Sequence, residues 1–242
     1  MRYGFFSDVH ANIEALEAVA EDFQAQKLDQ TMFLGDAVGY GASPNECLNL
    51  IAKLASRSLM GNHDYAALGL MEADYFNQYA RESIEWTKTI LENGSHEIMA
   101  NFYLTYKFDI LHLVHATPRE PEAWHYILNL SEAEENFGYF TKRVCLIGHS
   151  HRPVIIKKFE DRHCFIHNET QATLEDEFRY LINIGSVGQP RDGNPDACYL
   201  IYDTDAKVMQ LRRVPYDVKK AQKKMKKAGL SQYLAERLSV GR

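Results

Sequence analysis

The first part of the chain alternates short apolar runs with segments of helical periodicity. The apolar runs cover residues 1–7, 31–34 and 57–60, and runs of this length predict buried strands. Between them, apolar positions recur at intervals of three and four residues over residues 12–27 and 44–54, which predicts two amphipathic helices. Strands that alternate with helices in this way predict a parallel βαβ sheet.

The rest of the chain is richer in strands. A helix with many aromatic residues is predicted over residues 75–91, and β-rich runs at 101–108 and 110–115 predict a hairpin that turns at Asp109. Further short strands are predicted at residues 144–147, 154–159, 180–184, 197–202 and 208–213. Many strands and few late helices predict two packed sheets with helices outside them. No internal repeat or low-complexity linker interrupts the pattern, so we predict a single domain over residues 1–242.

The C-terminal part carries six lysines within residues 219–227. At helical spacing, Val218, Ala221 and Met225 fall on one face, largely opposite the lysines. We therefore predict a basic amphipathic helical segment at about residues 215–240, docked by its apolar stripe with a solvated basic face. The alternative interpretation is a nucleic-acid contact through the lysines.

Composition narrows the class of protein. The 242 residues are 45% hydrophobic and 25% charged, which is ordinary for a globular protein that builds its own core. The formal net charge of −6 provides no global positive field for nucleic acid or an acidic membrane, so an anionic substrate would need local attraction. Four separated cysteines without a C-x-x-C pair, and no signal-peptide or membrane-span pattern, predict a cytoplasmic protein.

Polar residues cluster directly after the predicted strands. They are Asp8 and His10 after the first strand, Asp36 after the second, Asn62 and His63 after the third, and His115, His149 and His151 after two later strands. In open α/β sheets, ligands bind in the crevice beyond the strand ends, so these segments are expected to meet at one rim.

The residue types in this cluster suit divalent transition metals. Imidazole combined with carboxylate or amide oxygen serves Mn, Fe, Ni or Zn, whereas the missing Cys ligands argue against a closed structural zinc site. Seven of these residues, all except His63, are candidate ligands, and seven are too many for one such ion. They suit two ions that share a bridging carboxylate, as in sites whose metals lie about 3.5–4 Å apart.

The ordered motifs resemble those of a known family. Asp-x-His, Gly-Asp, Gly-Asn-His-Asp, a lone His and Gly-His-x-His follow one another as in the calcineurin-like metallophosphoesterase superfamily. The first 40 residues and residues 184–192 further resemble its small bacterial and archaeal phosphodiesterase-like branch. The similarity extends to about residue 215 and implies an α/β fold, a four-layer α/β–β/α sandwich.

Roles for individual residues follow from this resemblance. It implies that Asp8, His10 and His151 bind one metal ion, that Asn62, His115 and His149 bind the other, and that Asp36 bridges them. It also implies that His63 meets the substrate as general acid or transition-state stabiliser, held by Asp64. One departure is Ala116, since the family usually places Gly after the lone His; no ligand is affected.

Other residues near these motifs have two interpretations. Arg191 follows a Gly-Ser-Val-Gly-Gln-Pro turn, where its guanidinium either forks onto a substrate phosphate or pins the turn through a salt bridge. The loop of residues 118–126 contains His125, which either caps the site or packs the loop. His112 is three residues from His115 on one strand and is expected to face the other side.

The resemblance implies hydrolysis of a phosphoester by a hydroxide that bridges the two ions. Our leading hypothesis is a phosphodiesterase for a small or nucleotide-type phosphodiester, with Asn62, His63 and Arg191 contacting the substrate. A phosphomonoesterase, including a protein phosphatase, is the alternative within enzymes. A non-catalytic metal-binding scaffold is the alternative from another class, and the complete ligand set argues against it. The residues carry no signal for an oligomeric state.

Overall fold

Two six-stranded sheets form the centre of the protein, whose computed structural model describes residues 1–72 and 76–242. The strands are β1 (Arg2–Phe6), β2 (Gln30–Phe33), β3 (Ala55–Ser58), β4 (Thr105–Phe108), β5 (Leu111–Val114), β6 (Val144–Ile147), β7 (Val154–Phe159), β8 (Phe165–His167), β9 (Gln171–Thr173), β10 (Phe178–Asn183), β11 (Ala197–Asp203) and β12 (Val208–Val214). The helices are α1 (Ile13–Ala25), α2 (Pro44–Leu54), α3 (Asn62–Ala67), α4 (Gln78–Ile90), α5 (Asn93–Ala100), α6 (Leu130–Asn136), α7 (Val218–Lys227) and α8 (Gln232–Arg237).

Each sheet combines parallel and antiparallel strands. The first has the order β3-β2-β1-β11-β12-β9, and the second has the order β4-β5-β6-β10-β7-β8. Strands β1, β2 and β3 are mutually parallel, as are β5, β6 and β10, so each sheet presents three parallel carboxyl ends. The polar residues that the sequence places at one rim lie beyond these ends.

Buried side chains that alternate between the two faces of each strand produce the four layers. Phe5 packs between the two sheets, whereas Phe6 packs on the opposite face against α1 and α2. In β6, Leu146 points into the space between the sheets and Cys145 points outward to the cluster that includes α6. Because successive side chains of a strand face opposite ways, both faces of each sheet are buried. The predicted four-layer sandwich is confirmed.

Several element boundaries differ from the prediction. The third strand is Ala55–Ser58 rather than residues 57–60, because it is a polar edge strand and Leu59 only bridges to Tyr103. The helix predicted over residues 75–91 is Gln78–Ile90, and Tyr75 lies outside the described residues. Helices α3, α5 and α6 and the short strands β8 and β9 were not predicted.

The basic C-terminal segment contains two helices rather than one, because Gly229 with φ +75° separates α7 from α8. Helix α7 packs on α1, and its Lys220 and Lys224 Nζ atoms lie 3.6 and 2.6 Å from the Glu14 carboxylate. Part of the lysine face is therefore neutralised within the protein. Within the described parts of the chain, no helix combines the length and apolar character that a membrane span requires.

Candidate metal centre

All seven predicted metal ligands come together beyond the carboxyl ends of the parallel strands. They are Asp8, His10, Asp36, Asn62, His115, His149 and His151, and none is more than 7% exposed. Hydrogen bonds join the loops of the two sheets across the rim: His149 N, after β6, donates to Asp8 Oδ2 at 3.1 Å, and Gly188 N, after β10, donates to Asp8 O at 2.9 Å. Both sheets thus contribute to one buried cluster.

The donor atoms fall into three groups, two of which contain Asp36. Ligand atoms of Asp8, His10 and His151 lie within 4.8 Å of one another, as do those of Asp36, His115 and His149. The Asp36 Oδ2 atom is 3.6 Å from His10 Nε2 and 3.4 Å from His115 Nε2. A third group within the same limit combines His10, Asp36 and His63. Asp36 therefore lies between the two sides of the cluster.

Backbone carbonyls orient the four histidines of the cluster. The ring nitrogens and their carbonyl partners are His10 Nδ1 with Val38 O (3.0 Å), His115 Nδ1 with Leu34 O (2.8 Å), His151 Nδ1 with Gln189 O (2.6 Å) and His149 Nε2 with Trp124 O (3.0 Å). A carbonyl accepts, so each of these nitrogens carries a proton, and in the neutral ring the lone pair is on the other nitrogen. This is the arrangement that metal-ligating histidines use.

The backbone at the cluster is unusual. Five of the seven residues adopt left-handed φ angles between 47° and 64°: Asp8, His10, Asp36, His149 and His151. Non-glycine residues rarely adopt this region, and such strain concentrates at functional sites. Gly61 is required for a different reason, because a Cβ there would lie 2.1 Å from Asp36 Oδ1.

The two buried carboxylates are held in the charged state. Burial alone would raise the pKa of Asp8, but His151 and His115 bring it below its ordinary value. The pKa of Asp36 is likewise low, because His115 and His63 outweigh burial. Burial disfavours the charged imidazole of His115, yet the Asp36 carboxylate raises its pKa to about 9. Burial lowers the pKa of His149 to about 3, so that ring stays neutral.

The donor types of the cluster and its unpartnered buried atoms fit divalent cations. Asn62 Oδ1 and His115 Nε2 are buried and have no hydrogen-bond partner in the described structure. Buried polar atoms are normally satisfied, so unpartnered donors and acceptors at one point need an explanation. Two carboxylates, an amide oxygen and neutral imidazoles, without a thiolate, are donors that suit two such ions.

Asp64 has a different position from the one predicted. Its Oδ2 atom accepts hydrogen bonds from the backbone N–H of Asp36 (2.8 Å) and Gly61 (3.0 Å), and its Oδ1 atom accepts from Ala37 (2.8 Å) and Val38 (3.3 Å). The prediction that Asp64 holds the His63 side chain is wrong. Asp64 instead fixes the loop that carries Asp36, since its acceptor sites are taken by main-chain donors.

His63 lies beside the cluster, at the wall of a cavity of about 620 Å³. Its Nδ1 atom is buried without a partner, and its ring contacts Tyr40 and Phe76 at centroid distances of 4.6 and 4.8 Å. Burial, with Arg191 nearby, lowers the pKa of His63 to about 4. Gly39 makes room for the ring, because a Cβ at this φ of +84° would lie 2.3 Å from Nδ1.

Aromatic side chains form much of the cavity wall, and most of them were not predicted from the sequence as site residues. The aromatic lining residues are Tyr40, Tyr65, Phe76, Trp124 and Tyr126. Tyr126 stacks on His149 at a centroid distance of 4.0 Å. The run Trp124-His125-Tyr126 was the available signal. His125 itself lies outside the lining and has its Nε2 3.4 Å from Glu120, while His112 packs near Phe140 in the core.

Arg191 also lines this cavity, where an amide oxygen and an aromatic ring contact its guanidinium. Its Nε and Nη2 atoms donate to Gln189 Oε1 at 3.2 and 2.7 Å, and its guanidinium carbon lies 5.5 Å from the Tyr40 ring centroid. The salt-bridge interpretation is therefore not supported in the described part of the chain, because an amide, not a carboxylate, orients the side chain. Gln189 thus orients both His151, through its carbonyl, and Arg191, through its side chain.

Comparisons with known proteins agree with this geometry. A family model described as a calcineurin-like phosphoesterase superfamily domain matches residues 1–207. An uncharacterized protein of Methanocaldococcus jannaschii is 40% identical over 240 residues, which cover 98% of this chain and 96% of that protein.

Solved structures give the same result. The crystal structure of a metallophosphoesterase from Sphaerobacter thermophilus matches with a TM-score of 0.87 and 38% identity, covering 100% of this chain and 99% of that one. A hypothetical protein from Pyrococcus horikoshii OT3 shares the fold, with a TM-score of 0.80, 16% identity and coverage of 100% and 98%. The chain therefore belongs to the calcineurin-like phosphoesterase superfamily.

Proposed function

We propose that this protein is a metal-dependent phosphoesterase that holds two divalent ions and prefers small or nucleotide-type phosphodiesters. The observation that supports it most is the buried cluster of seven residues whose free donor atoms converge beside an aromatic-walled cavity. The orientation of all four histidines by carbonyls further supports metal binding, because it fixes which nitrogen of each neutral ring would face an ion.

Each ion would have its own residues. Asp8, His10 and His151 would hold the first ion, Asn62, His115 and His149 the second, and Asp36 would contact both. These donors suit Mn, Fe, Ni or Zn, of which manganese is our first choice to test. When bound, two such ions activate water and neutralise the phosphoryl oxygens as charge builds in the transition state.

Residues at the cavity wall would handle the substrate. His63, at the cavity wall, would meet the departing ester oxygen as proton donor or transition-state stabiliser. Arg191 would fork onto a phosphoryl oxygen, since Gln189 already orients its guanidinium. Asn62 would contact the phosphate beside the second ion. Asp64 would act as a positioning residue that keeps the loop of Asp36 in place.

The cavity favours a substrate with a planar organic group. Trp124 and Tyr65 meet at a ring-centroid distance of 5.6 Å, and they line the same space as His63. Aromatic faces bind nucleobases or phenyl groups through stacking. With its volume of about 620 Å³, the cavity has room for a nucleoside-sized substituent beyond the phosphorus. This supports a nucleotide-type ester.

We also propose that the protein is cytoplasmic and that it forms a single domain. All four cysteines are buried and unpaired, which fits the reducing cytoplasm. A single domain is supported by the packing of α7 on α1, which ties the C-terminal part to the first layer. Because Lys220 and Lys224 are tied to Glu14, we expect a small phosphoester rather than nucleic acid as the partner.

The preference for diesters is tested with two chromogenic esters. Metal-stripped protein is resupplied separately with Mn, Ni, Zn and Mg, and kcat/KM is measured for bis(p-nitrophenyl) phosphate and p-nitrophenyl phosphate. We expect metal-dependent turnover with at least about a tenfold preference for the diester. A preference for the monoester would establish the phosphatase alternative. Two bound ions without turnover of either ester would support the non-catalytic scaffold.

A further inference from the structure

A second cavity, of about 640 Å³, adjoins the metal centre across Arg191. Arg191 lines both cavities, so this residue lies between the two spaces. Four of the residues that line the second cavity are arginines, and we call it the arginine cavity: Arg152, Arg191, Arg237 and Arg242. Such a concentration of positive charge contrasts with the net charge of −6 for the whole chain.

Few side-chain carboxylates of the described residues lie beside these arginines, although Arg237 already donates to the main-chain oxygen of Arg242. Among residues 1–72 and 76–242, Asp192 is the one acidic residue that lines the arginine cavity, and its carboxylate contacts the guanidinium of Arg213 on β12. Among the residues that the structure describes, no Asp or Glu side chain pairs with the four cavity arginines within 4.0 Å. Burial, together with the nearby charge of Arg191, lowers the pKa of Arg237. Guanidiniums gathered without carboxylate partners are typical of sites that bind phosphate.

The arginine cavity is held in place by specific contacts. Arg152 Nε donates to the carbonyl of Arg191 at 3.2 Å, which ties the first guanidinium to the loop that carries the second. The guanidinium carbon of Arg237 lies 5.5 Å from the Tyr233 ring centroid, and its Nε donates to the main-chain oxygen of Arg242. The C-terminal segment itself is fixed to this loop, since Gly193 N donates to Gly241 O at 2.9 Å.

We propose that the arginine cavity binds a second phosphate group of the substrate whose first phosphate reaches the metal centre. This inference rests on the proposed function and deepens it. The organic group would occupy the aromatic-walled cavity, Arg191 would contact the phosphate at the junction, and Arg152, Arg237 and Arg242 would contact the further phosphate. The substrate class is then a nucleoside ester that carries at least two phosphates.

A small ligand fits these dimensions better than a nucleic-acid strand. Both cavities fall in the range of about 300–1,000 Å³ that is typical for small molecules. A long strand would instead require a continuous basic track. The other basic surface, on α7, has Lys220 and Lys224 paired with Glu14.

The test uses two substrates that differ only in the second phosphate. They are thymidine 5′-(p-nitrophenyl phosphate) and its 3′-phosphorylated form, assayed with the metal-loaded protein. We expect the added phosphate to lower KM by at least about tenfold, the size of one charged contact. In Arg237→Gln this advantage should shrink to less than about threefold, while Arg237→Lys, which keeps the charge, should retain part of it.

Two further variants control this experiment. Lys223→Gln removes the same charge from the exposed face of α7, outside both cavities, and should keep the full advantage. Arg242→Gln, which is exposed, repeats the test if Arg237→Gln fails to fold. If the added phosphate lowers KM in Arg237→Gln and in Arg242→Gln as much as it does in the unaltered protein, the proposal is overturned.

A binding measurement separates this proposal from the proposed function. Calorimetric titration of the same proteins compares thymidine 3′,5′-bisphosphate with thymidine 5′-monophosphate, and it needs no turnover. Tighter binding of the bisphosphate that Arg237→Gln abolishes would support the arginine cavity even if no ester were hydrolysed. Equal affinities would overturn it. Affinity that keeps rising along a series of longer thymidylates would also overturn it, in favour of a nucleic-acid track.

Discussion

Asp36→Asn is expected to lower the content of both metal ions and to reduce turnover by at least about 10³-fold, since ions of this kind contribute several kcal/mol of transition-state stabilisation. The reason is the position of Asp36 Oδ2, 3.6 Å from His10 Nε2 and 3.4 Å from His115 Nε2, between the two sides of the cluster. An amide keeps the shape of the side chain but loses the charge that a bridging ligand needs. Metal content after dialysis and kcat on the diester are the two measurements.

The matched control for this variant is Asp205→Asn, which changes an exposed carboxylate paired with the N-terminus. It should retain both ions and full turnover. The metal-free Asp36→Asn protein should unfold at a lower temperature midpoint than the metal-free unaltered protein at neutral pH, because the low pKa of Asp36 means that its charged form, paired with His115, stabilises the fold. Unchanged occupancy of both ions in a folded Asp36→Asn protein would refute the bridging role.

His63→Ala is expected to leave the metal content unchanged and to lower kcat by about 10²–10⁴-fold, the usual contribution of a positioned proton donor. His63 lines the aromatic-walled cavity beside the cluster, so its ring could contact a substrate oxygen there. Metal analysis and steady-state kinetics on the same preparation give both values.

A second histidine provides the comparison for this experiment. His125→Ala removes a half-exposed imidazole from the neighbouring loop, where it contacts Glu120, and should keep metal and turnover. The competing role for His63 is that of a ligand, because its ring shares a group of donor atoms with His10 and Asp36. Parallel loss of metal and turnover in His63→Ala would identify His63 as a ligand rather than a proton donor.

The sequence predicts that residues far apart in the chain meet at the metal centre when they directly follow parallel strands. Asp8, Asp36 and His149 follow parallel strands, and the carboxyl ends of parallel strands meet at one edge. Apolar periodicity predicted α1 and α2 within one or two residues. Edge strands were harder, because β3 is Ala-Ser-Arg-Ser and carries almost no apolar signal. The three-residue strands β8 and β9 were too short to produce a periodic pattern.

The roles of Asp64 and of Trp124 could not be predicted in this way. Asp64 accepts hydrogen bonds from main-chain N–H groups of residues 36–38, and Trp124 supplies only its carbonyl to His149. Every residue carries these backbone groups, so they leave no mark on the sequence. The arginine cavity is a similar case, because Arg191 and Arg237 meet only through the docking of the C-terminal helices.

We propose above that the buried Asp and His cluster holds two divalent ions that enable phosphoester hydrolysis. The most direct measurement titrates Mn²⁺ into the metal-free protein while bound metal and turnover of bis(p-nitrophenyl) phosphate are followed together. We expect no turnover at the start and a rise that saturates as about two ions bind per chain. Full turnover without added metal in the presence of a chelator, or saturation of binding at one ion, would contradict the claim.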